Sequence, residues 1–300
     1  MLNIFQNTKK KADKLFAQAQ KFHDEGSDEK AIEYYKKVIH LNSECSFCHY
    51  NIGLIYKYRN DWENSFEFNH SAYELKPEDE STLWNLGIAA TALRDWETAR
   101  KMWRECGFEI GEGSGPIEAD FGYTPIRLNP EDQAEVVWAI RIDPVRAKIT
   151  SVPLPESGHC AGDIVLHDGA AVGYRMYEET EYPVFNELEL FEKSALSTYK
   201  INIQISEQAD ADVLQKMLSE NELLSEDWTT DYRVLCKACS EGRPHEAHDQ
   251  EGEQEWTPEH EIAVAAHSLK EVEEIANKWA NGISRNIINI ECAFSRGQAH

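Results

Sequence analysis

The sequence has few of the residues that mark secreted or membrane-bound proteins. Its 300 residues include only seven cysteines, an odd and dilute number that does not fit a disulfide framework. No apolar run reaches the roughly 18 residues that a membrane-spanning helix needs. The apolar stretch at the N-terminus is too short for a secretory signal. We therefore expect a cytoplasmic protein in a reducing compartment.

Basic residues are also scarce. Thirty Lys and Arg stand against 54 Asp and Glu, so the net charge is −24 and the isoelectric point is near 4.8. A chain this acidic repels phosphate backbones and anionic lipid, which excludes nucleic acids and membranes as default partners. Cations and basic proteins are favoured instead. Apolar residues make up 41% of the chain, enough to bury a core.

The acidity is concentrated in the C-terminal part. Residues 1–110 carry 15 basic and 18 acidic side chains, whereas the remaining residues carry 15 basic and 36 acidic ones. This change in composition predicts a domain boundary, and the glycine-rich stretch that follows is the obvious linker. We divide the chain into a helical domain (1–110), a linker (111–125), a β-rich, barrel-like segment (126–195) and an α+β domain (196–300).

A period of about 34 residues runs through the first third of the chain. It aligns one small residue in each of three units, namely Ala31, Ser65 and Ala99. Gly53 and Gly87, which are separated by one full period, would let helices approach closely. The period and its apolar pattern resemble the tetratricopeptide repeat (TPR) family over residues 11–106. The resemblance implies three helical hairpins, each of which covers an apolar face of its neighbour.

The resemblance also implies a concave face built by the first helix of each hairpin. In relatives with a two-carboxylate clamp this face carries Lys, Asn and Arg, but here only Asn51 fits, so we do not expect a clamp. An aromatic groove for an amphipathic helix or apolar peptide is expected instead. The residues assigned to partner binding are Phe16, Phe47, Tyr50, Asn51, Leu54, Tyr58, Trp84, Asn85 and Ile88. Two arrangements stay open: the groove binds a partner, or the C-terminal domain of the same chain covers it.

A second pattern lies at a repeat junction. Cys45-Ser-Phe-Cys48-His49 spells the haem attachment motif of c-type cytochromes. Haem attachment needs export to an oxidising compartment, and no secretory signal is evident. We therefore interpret both cysteines as buried or half-buried thiols.

The rest of the chain predicts a multidomain α and α+β protein. Residues 136–142 and 146–152 read as strands, and Asp168-Gly169 favours a tight turn inside a further hairpin, which together suggest a small barrel. The run of glutamates between 178 and 192 is interpreted as the solvent-facing side of a sheet. From Tyr199 onwards the order strand, helix, strand, strand, helix, strand resembles a ferredoxin-like unit. It includes a strand at Tyr232–Cys236 and a helix that begins with a Ser268–Glu271 capping box.

One constellation of residues points to a metal. Cys236-Lys-Ala-Cys239 is followed by His245-Glu-Ala-His248. Two thiolates and two imidazoles leave no open position, which suits a tetrahedral structural zinc. The compact spacing resembles a zinc knuckle, although the usual last ligand of a knuckle is Cys. The alternative is a solvated acidic loop with two ordinary thiols.

Catalytic candidates are weak. Ser157-Gly-His159-Cys160 places a possible nucleophile and base side by side, but adjacent residues on a strand face opposite ways. We assign no catalytic residue and predict a non-enzymatic interaction protein that binds a basic or amphipathic protein partner. A concrete form is an immunity- or antitoxin-type inhibitor of a basic effector. The alternative is a metal-dependent hydrolase or other enzyme that uses the C-terminal Cys/His site.

Overall fold

The computed structural model describes residues 2–132, 134–177, 179–229, 256–282 and 285–296. The chain divides into two compact units, Met1–Glu118 and Ala119–His300. This division falls inside the segment predicted as a linker. None of the helices in the described part is long and apolar enough to cross a membrane.

The described part of the first unit consists of six helices. They are α1 (Leu2–Asp24), α2 (Asp28–Leu41), α3 (Ser46–Lys57), α4 (Trp62–Leu75), α5 (Glu80–Ala92) and α6 (Trp96–Glu105). Each helix contacts the next along the chain, and α3 also contacts α5. The starts of α2, α4 and α6 are evenly spaced, and the starts of α3 and α5 are separated by the same interval. The repeat period predicted from the sequence is therefore confirmed as a repeat of helical hairpins.

The turn inside each hairpin repeats the same backbone conformation. Gly26, Asn60 and Arg94 occupy the same position in successive repeats and have φ angles of 69°, 54° and 61°. This left-handed conformation favours glycine and tolerates asparagine. In the second and third hairpins the following residue, Asp61 or Asp95, caps the next helix by accepting a hydrogen bond from a backbone N–H of its first turn.

Two glycines allow the helices within a hairpin to pack closely, as the sequence predicts. A Cβ atom at Gly53 would lie 2.5 Å from Nδ2 of Asn69, and one at Gly87 would lie 2.6 Å from Cη2 of Trp103. Protein interiors are packed too densely to absorb such contacts without a shift of the neighbouring side chain. The predicted role of both glycines is confirmed.

The second unit begins with a closed barrel of five strands. They are β1 (Tyr123–Leu128), β2 (Glu135–Arg141), β3 (Arg146–Ile149), β4 (Ile164–Tyr177) and β5 (Thr180–Glu192). Successive strands pair antiparallel, and β1 closes the barrel by pairing parallel with β5, where Ile126 lies opposite Phe185. Side chains that alternate along the strands fill the interior. The main ones are Ile126, Leu128, Val137, Ala139, Ala147, Ile149, Val165 and Phe185.

The hairpin turn predicted at Asp168-Gly169 is wrong. Strand β4 continues through both residues, and the chain reverses later, between Tyr177 and Thr180. The register of β4 against β5 shifts just after His167, so the Asp-Gly pair lies in a bulge. The carboxylate of Asp168 accepts a hydrogen bond from the N–H of Gly169 at 2.7 Å. The turn-forming residues bend a strand here instead of ending it.

The rest of the described part of the second unit is a four-stranded sheet with two helices. Its elements are β6 (Ser197–Gln204), α7 (Gln208–Glu220), β7 (Leu224–Asp227), β8 (Glu259–Ala266), α8 (Leu269–Ala280) and β9 (Asn286–Phe294). The strand order is β7-β8-β6-β9, and all neighbours are antiparallel. The predicted capping box of α8 is confirmed, because Ser268 accepts from the N–H of Glu271 and Glu271 accepts from the N–H of His267. The predicted strand at Tyr232–Cys236 lies outside the described residues.

Buried contacts join the barrel to this sheet within the second unit. The Asp163 side chain, which is fully buried, accepts hydrogen bonds from both terminal nitrogens of Arg296, at 2.7 and 2.5 Å. The indole N–H of Trp228 donates to the carbonyl of Val152 at 3.2 Å. Charge-assisted bonds of this kind are stronger than neutral ones, so Asp163 ties the end of the described chain to the barrel.

Candidate functional site

Five of the residues assigned to partner binding follow one side of α3. Phe47 is 58% exposed and Tyr58, just after the last turn, is 59% exposed. Tyr50, Asn51 and Leu54 are half-buried between them. Positions three and four residues apart lie above one another on a helix, so these side chains form a continuous row. We call Phe47, Tyr50, Asn51, Leu54 and Tyr58 the α3 stripe.

Neighbouring groups hold the two ends of the α3 stripe in place. The Asn51 side chain donates a hydrogen bond to the carbonyl of Phe47 at 2.6 Å. The ammonium group of Lys76 lies 5.5 Å from the centre of the Phe47 ring, and that of Lys57 lies 4.4 Å from the centre of the Tyr58 ring. A Lys ammonium group over the face of an aromatic ring is attracted to that ring electrostatically. The stripe therefore combines exposed aromatic surface with two positive charges beside it.

Trp84, in contrast, belongs to an internal aromatic cluster of the first unit. Its ring meets that of Trp103 edge-on at 5.2 Å and that of Phe108 at 5.7 Å. Phe108 belongs to the extended segment that follows α6. The guanidinium of Arg100 anchors this segment by donating to three carbonyl oxygens, those of Gly111, Gly115 and Pro116. The segment thus packs against the side of α5 on which Trp84 lies.

The other assigned residues are also shielded. Asn85 is 5% exposed and Ile88 is 1% exposed, because α5 is buried on nearly all sides. Phe16 is half-buried and packs edge-on against Tyr35 at 5.8 Å. The structure therefore brings five of the nine residues together on an accessible surface. It places the other four in or beside the packed interior.

A separate group of polar side chains lies inside the barrel. Glu187 follows Phe185 by two residues on β5 and faces the interior with it. Its Oε1 atom lies 2.6 Å from Nε2 of His159, and its Oε2 atom accepts from the N–H of Asn129 at 3.1 Å. Burial opposes the charged imidazolium, but the hydrogen bond to Glu187 and the charge of Glu187 outweigh it and raise the pKa of His159.

The burial of Glu187 corrects one sequence interpretation. The glutamates between 178 and 192 are not uniformly on a solvent-facing side, because Glu187 is 8% exposed whereas Glu181 is well exposed to solvent. Glutamates and apolar residues do alternate along β5, but closure of the barrel turns one side of this strand inward. The register with Phe185 is the signal that would have identified this carboxylate.

Glu135 is a second, half-buried carboxylate on the same barrel. It lies two residues before Val137 on β2 and accepts from the N–H of Leu154, at 3.2 and 3.1 Å to its two oxygens. Burial raises the pKa of Glu135 to about 7, and the nearby negative charge of Glu226 acts in the same direction. This carboxyl therefore titrates near neutral pH.

These groups do not assemble a nucleophile and a base from Ser157, His159 and Cys160. The hydroxyl of Ser157 donates to the carbonyl of Leu154 at 2.8 Å. The ring nitrogens of His159 contact the Ser157 carbonyl and Glu187. The Cys160 thiol is 1% exposed, and burial raises its pKa. The His159–Glu187 pair instead ties loops to the barrel wall.

The predicted zinc ligands Cys236, Cys239, His245 and His248 lie outside the described residues. Within the described ranges, no cluster of three or more His, Cys, Asp or Glu side chains could hold a metal ion. The zinc site stays a prediction.

The helix starts and the hairpin turns of the first unit recur at one fixed interval, which identifies its fold. It is an array of TPR-like repeats. No family model matches the chain, and no curated protein matches it either.

Solved TPR structures are similar to part of this chain. The second TPR of Spaghetti (RPAP3) bound to the HSP90 peptide SRMEEVD is 22% identical over 34% of this chain and 93% of that chain, with a TM-score of 0.32. The Sgt2 TPR domain from Aspergillus fumigatus is 19% identical over 32% of this chain and 64% of that chain, with a TM-score of 0.30. Yeast Tom70 is 22% identical over 35% of this chain and 22% of that chain, with a TM-score of 0.32.

Proposed function

We propose that this protein is a non-enzymatic protein-interaction module whose TPR-like array binds an amphipathic helix of a partner protein along the α3 stripe. One observation carries the proposal: Phe47 and Tyr58 each expose more than half of their surface on the same side of one helix. Aromatic side chains bury a large area at a low cost in conformational entropy, which is why they dominate many protein interfaces.

The charge of the chain supports a partner with a basic surface. Beyond residue 110 the sequence has 36 acidic and 15 basic side chains. Such an excess attracts a cationic surface and makes the rate of association sensitive to salt. An immunity- or antitoxin-type inhibitor that masks a basic effector is the concrete form we propose. Its place of action in this proposal is the cytoplasm.

We also infer that the second sheet with α7 and α8 forms a ferredoxin-like unit. The order β7-β8-β6-β9 and the connection of its elements along the chain support this inference. A structural zinc held by the predicted Cys/His loop belongs to the same proposal. Metal analysis of the purified full chain tests it: we expect zinc in the wild type and its loss in Cys236→Ser/Cys239→Ser. The alternative of a metal-dependent hydrolase requires turnover that depends on the same residues.

The α3 stripe can be tested without knowledge of the natural partner. A phage-displayed library of amphipathic helical peptides is selected against the full chain, and the Kd of a selected peptide is measured by fluorescence anisotropy. Phe47→Ala/Tyr58→Ala should raise the Kd by about tenfold or more, since interface aromatics are frequent hot spots. Tyr123→Ala is the matched control, because Tyr123 is 58% exposed but lies on the barrel. Its Kd should stay within about twofold of the wild-type value.

Two results would contradict the proposal. Equal effects of the double variant and of Tyr123→Ala would show that the α3 stripe is not the binding surface. Failure of the selection to yield any peptide that competes at the stripe would do the same. Circular dichroism of each variant excludes loss of the helical fold as the cause.

A further inference from the structure

Two cysteines meet at the start of α3. Cys45 is the N-cap residue of this helix, and Cys48 lies in its first turn, with its N–H donating to the carbonyl of Cys45 at 3.0 Å. In an ideal helix, Cα atoms three residues apart are about 5 Å from each other. This is within the range of roughly 4.4–6.8 Å that a disulfide spans. The backbone thus holds the two thiols at a separation that a disulfide can bridge.

The two thiols have different environments. Cys45 is partly exposed, whereas Cys48 is fully buried. The side-chain hydrogen bond between the two thiols lowers the pKa of Cys45 to about 7 against the opposing effect of burial. The same hydrogen bond, together with burial, raises the pKa of Cys48. Cys45 therefore has the more acidic and the more accessible thiol of the two.

The charged and titratable groups around the pair do not oppose this assignment. Tyr35, on α2, lies close enough to interact with both cysteines, and burial first and then these neighbours raise its pKa to about 12, so it is neutral. His49 follows Cys48 on α3, and burial lowers its pKa. Cys45 also lies at the helix start, where the backbone N–H groups favour negative charge.

Other described cysteines lack this arrangement. Burial, with the charges of Glu80 and Glu105, raises the pKa of Cys106 to about 12. Burial also raises the pKa of Cys160, whose side chain is 1% exposed. These thiols provide internal references against which the reactivity of Cys45 can be compared.

We propose that Cys45 and Cys48 form a redox-active dithiol that exchanges with low-molecular-weight disulfides. The Cys45 thiolate attacks one sulfur of the small disulfide, forms a mixed disulfide and releases one small thiolate, which takes up a proton. Cys48 then loses its proton and attacks the Cys45 sulfur, which forms the Cys45–Cys48 bond and releases the second small thiol. Two protein thiols are oxidised, and one small disulfide is reduced to two thiols.

Oxidation would act on the α3 stripe, because Phe47 lies between the two cysteines and its carbonyl accepts the Asn51 side chain at 2.6 Å. This consequence rests on the proposed function, whereas the exchange chemistry does not. The experiment therefore measures the dithiol itself in the full chain, with no partner present.

Oxidised glutathione is the probe. The reduced full chain is incubated in buffers of increasing oxidised-to-reduced glutathione ratio, quenched with acid, alkylated and digested with trypsin. The peptide of residues 38–57 contains both Cys45 and Cys48 and no other cysteine. We expect this peptide to convert from a doubly alkylated form to an unalkylated internal disulfide, while the peptide with Cys106 remains alkylated.

Single variants establish the order of attack. Cys48→Ser should stop at a glutathione adduct on Cys45, and Cys45→Ser should leave Cys48 unmodified, because the buried thiol cannot start the exchange. The proposal is overturned if peptide 38–57 stays doubly alkylated in oxidised glutathione, if it becomes cross-linked to a different peptide, or if the two variants react alike. The wild-type measurement stands even if a variant fails to fold.

Discussion

The two units place their charged side chains differently. In the described first unit the ion pair of Arg59 with Asp28 leaves about a third of each side chain exposed. In the second unit the pairs Arg146–Asp143, His159–Glu187 and His260–Asp227 are almost fully buried. Helical hairpins satisfy their backbone groups locally, whereas the loops that close a barrel need other partners.

Buried carboxylates supply those partners. Asp163 accepts from the N–H groups of Cys160 and Ser194, both at 2.8 Å, as well as from Arg296. Asp143 accepts from the N–H groups of Val145 and Arg146. The acidity of the second unit is therefore partly structural, because some of its carboxylates hold loops in place and are not available to a partner.

The largest expected effect comes from removal of one such carboxylate. Asp163→Ala removes the carboxylate that accepts from Arg296 and from two backbone N–H groups, and should lower the free energy of unfolding by about 3–5 kcal/mol. In the first unit, Arg59→Ala should cost less than about 1 kcal/mol, because its pairs are partly exposed. Urea denaturation followed by circular dichroism measures both. Equal losses would break the comparison between the units.

A pH-dependent effect is expected at Glu135. Burial raises the pKa of this carboxyl from 4.5 to about 7, so the folded state keeps a proton that the unfolded state releases. Stability should therefore fall as the pH rises from 4.5 to 7 and stay lower above that range. Glu135→Gln removes this dependence and should stabilise the protein at pH 8 by at most about 3 kcal/mol.

Measuring the stability of Glu135→Gln and of the wild type at pH 5 and pH 8 isolates the effect of Glu135 ionisation. The stability difference between the two proteins should grow towards pH 8. A difference that is the same at both pH values would show that ionisation of Glu135 is not its source. Glu181→Gln, on the exposed part of β5, is the control and should show no such trend.

The first unit should be most sensitive to steric change at its close helix contacts. Gly87→Ala places a Cβ atom 2.6 Å from the Trp103 ring and should cost about 1–3 kcal/mol. Gly26→Ala meets no atom within 4 Å but strains a φ of 69°, and should cost about 1 kcal/mol. Thermal denaturation ranks the two. A larger loss for Gly26→Ala would refute the packing argument.

The smallest effect is expected on the α3 stripe. Phe47→Ala and Tyr58→Ala should each change the free energy of unfolding by no more than about 0.5 kcal/mol, since both side chains are mostly exposed. Trp84→Ala should cost several times more, because its ring packs against Trp103 and Phe108. If Phe47→Ala unfolds the protein, the stripe is a packed surface and not an open one.

Sequence reasoning succeeded where the signal is local. The hairpin period, the close contacts at Gly53 and Gly87 and the capping box at Ser268 each depend on residues a few positions apart or on a fixed repeat. It was wrong about the turn at Asp168-Gly169, because the same residues serve a turn or a bulge.

The candidate site was predicted only in part. The spacing along α3 places the residues of the α3 stripe on one side of a helix, but their exposure depends on what covers that side. Trp84 has the same character as Tyr50 in sequence, yet the segment around Phe108 packs against it. The placement of Cys45 at the helix start, next to Cys48, was also not recognised from the motif alone.

By itself the sequence determined the repeat period, the acidic bias, and the helices and strands whose caps and alternation depend on neighbouring residues. These features follow from local backbone preference and charge. Only the tertiary structure decided which carboxylates are buried and which aromatics remain exposed. Glu187 and His159 are 28 residues apart and meet because a barrel closes. Burial is a property of the whole fold, so no short stretch of sequence encodes it.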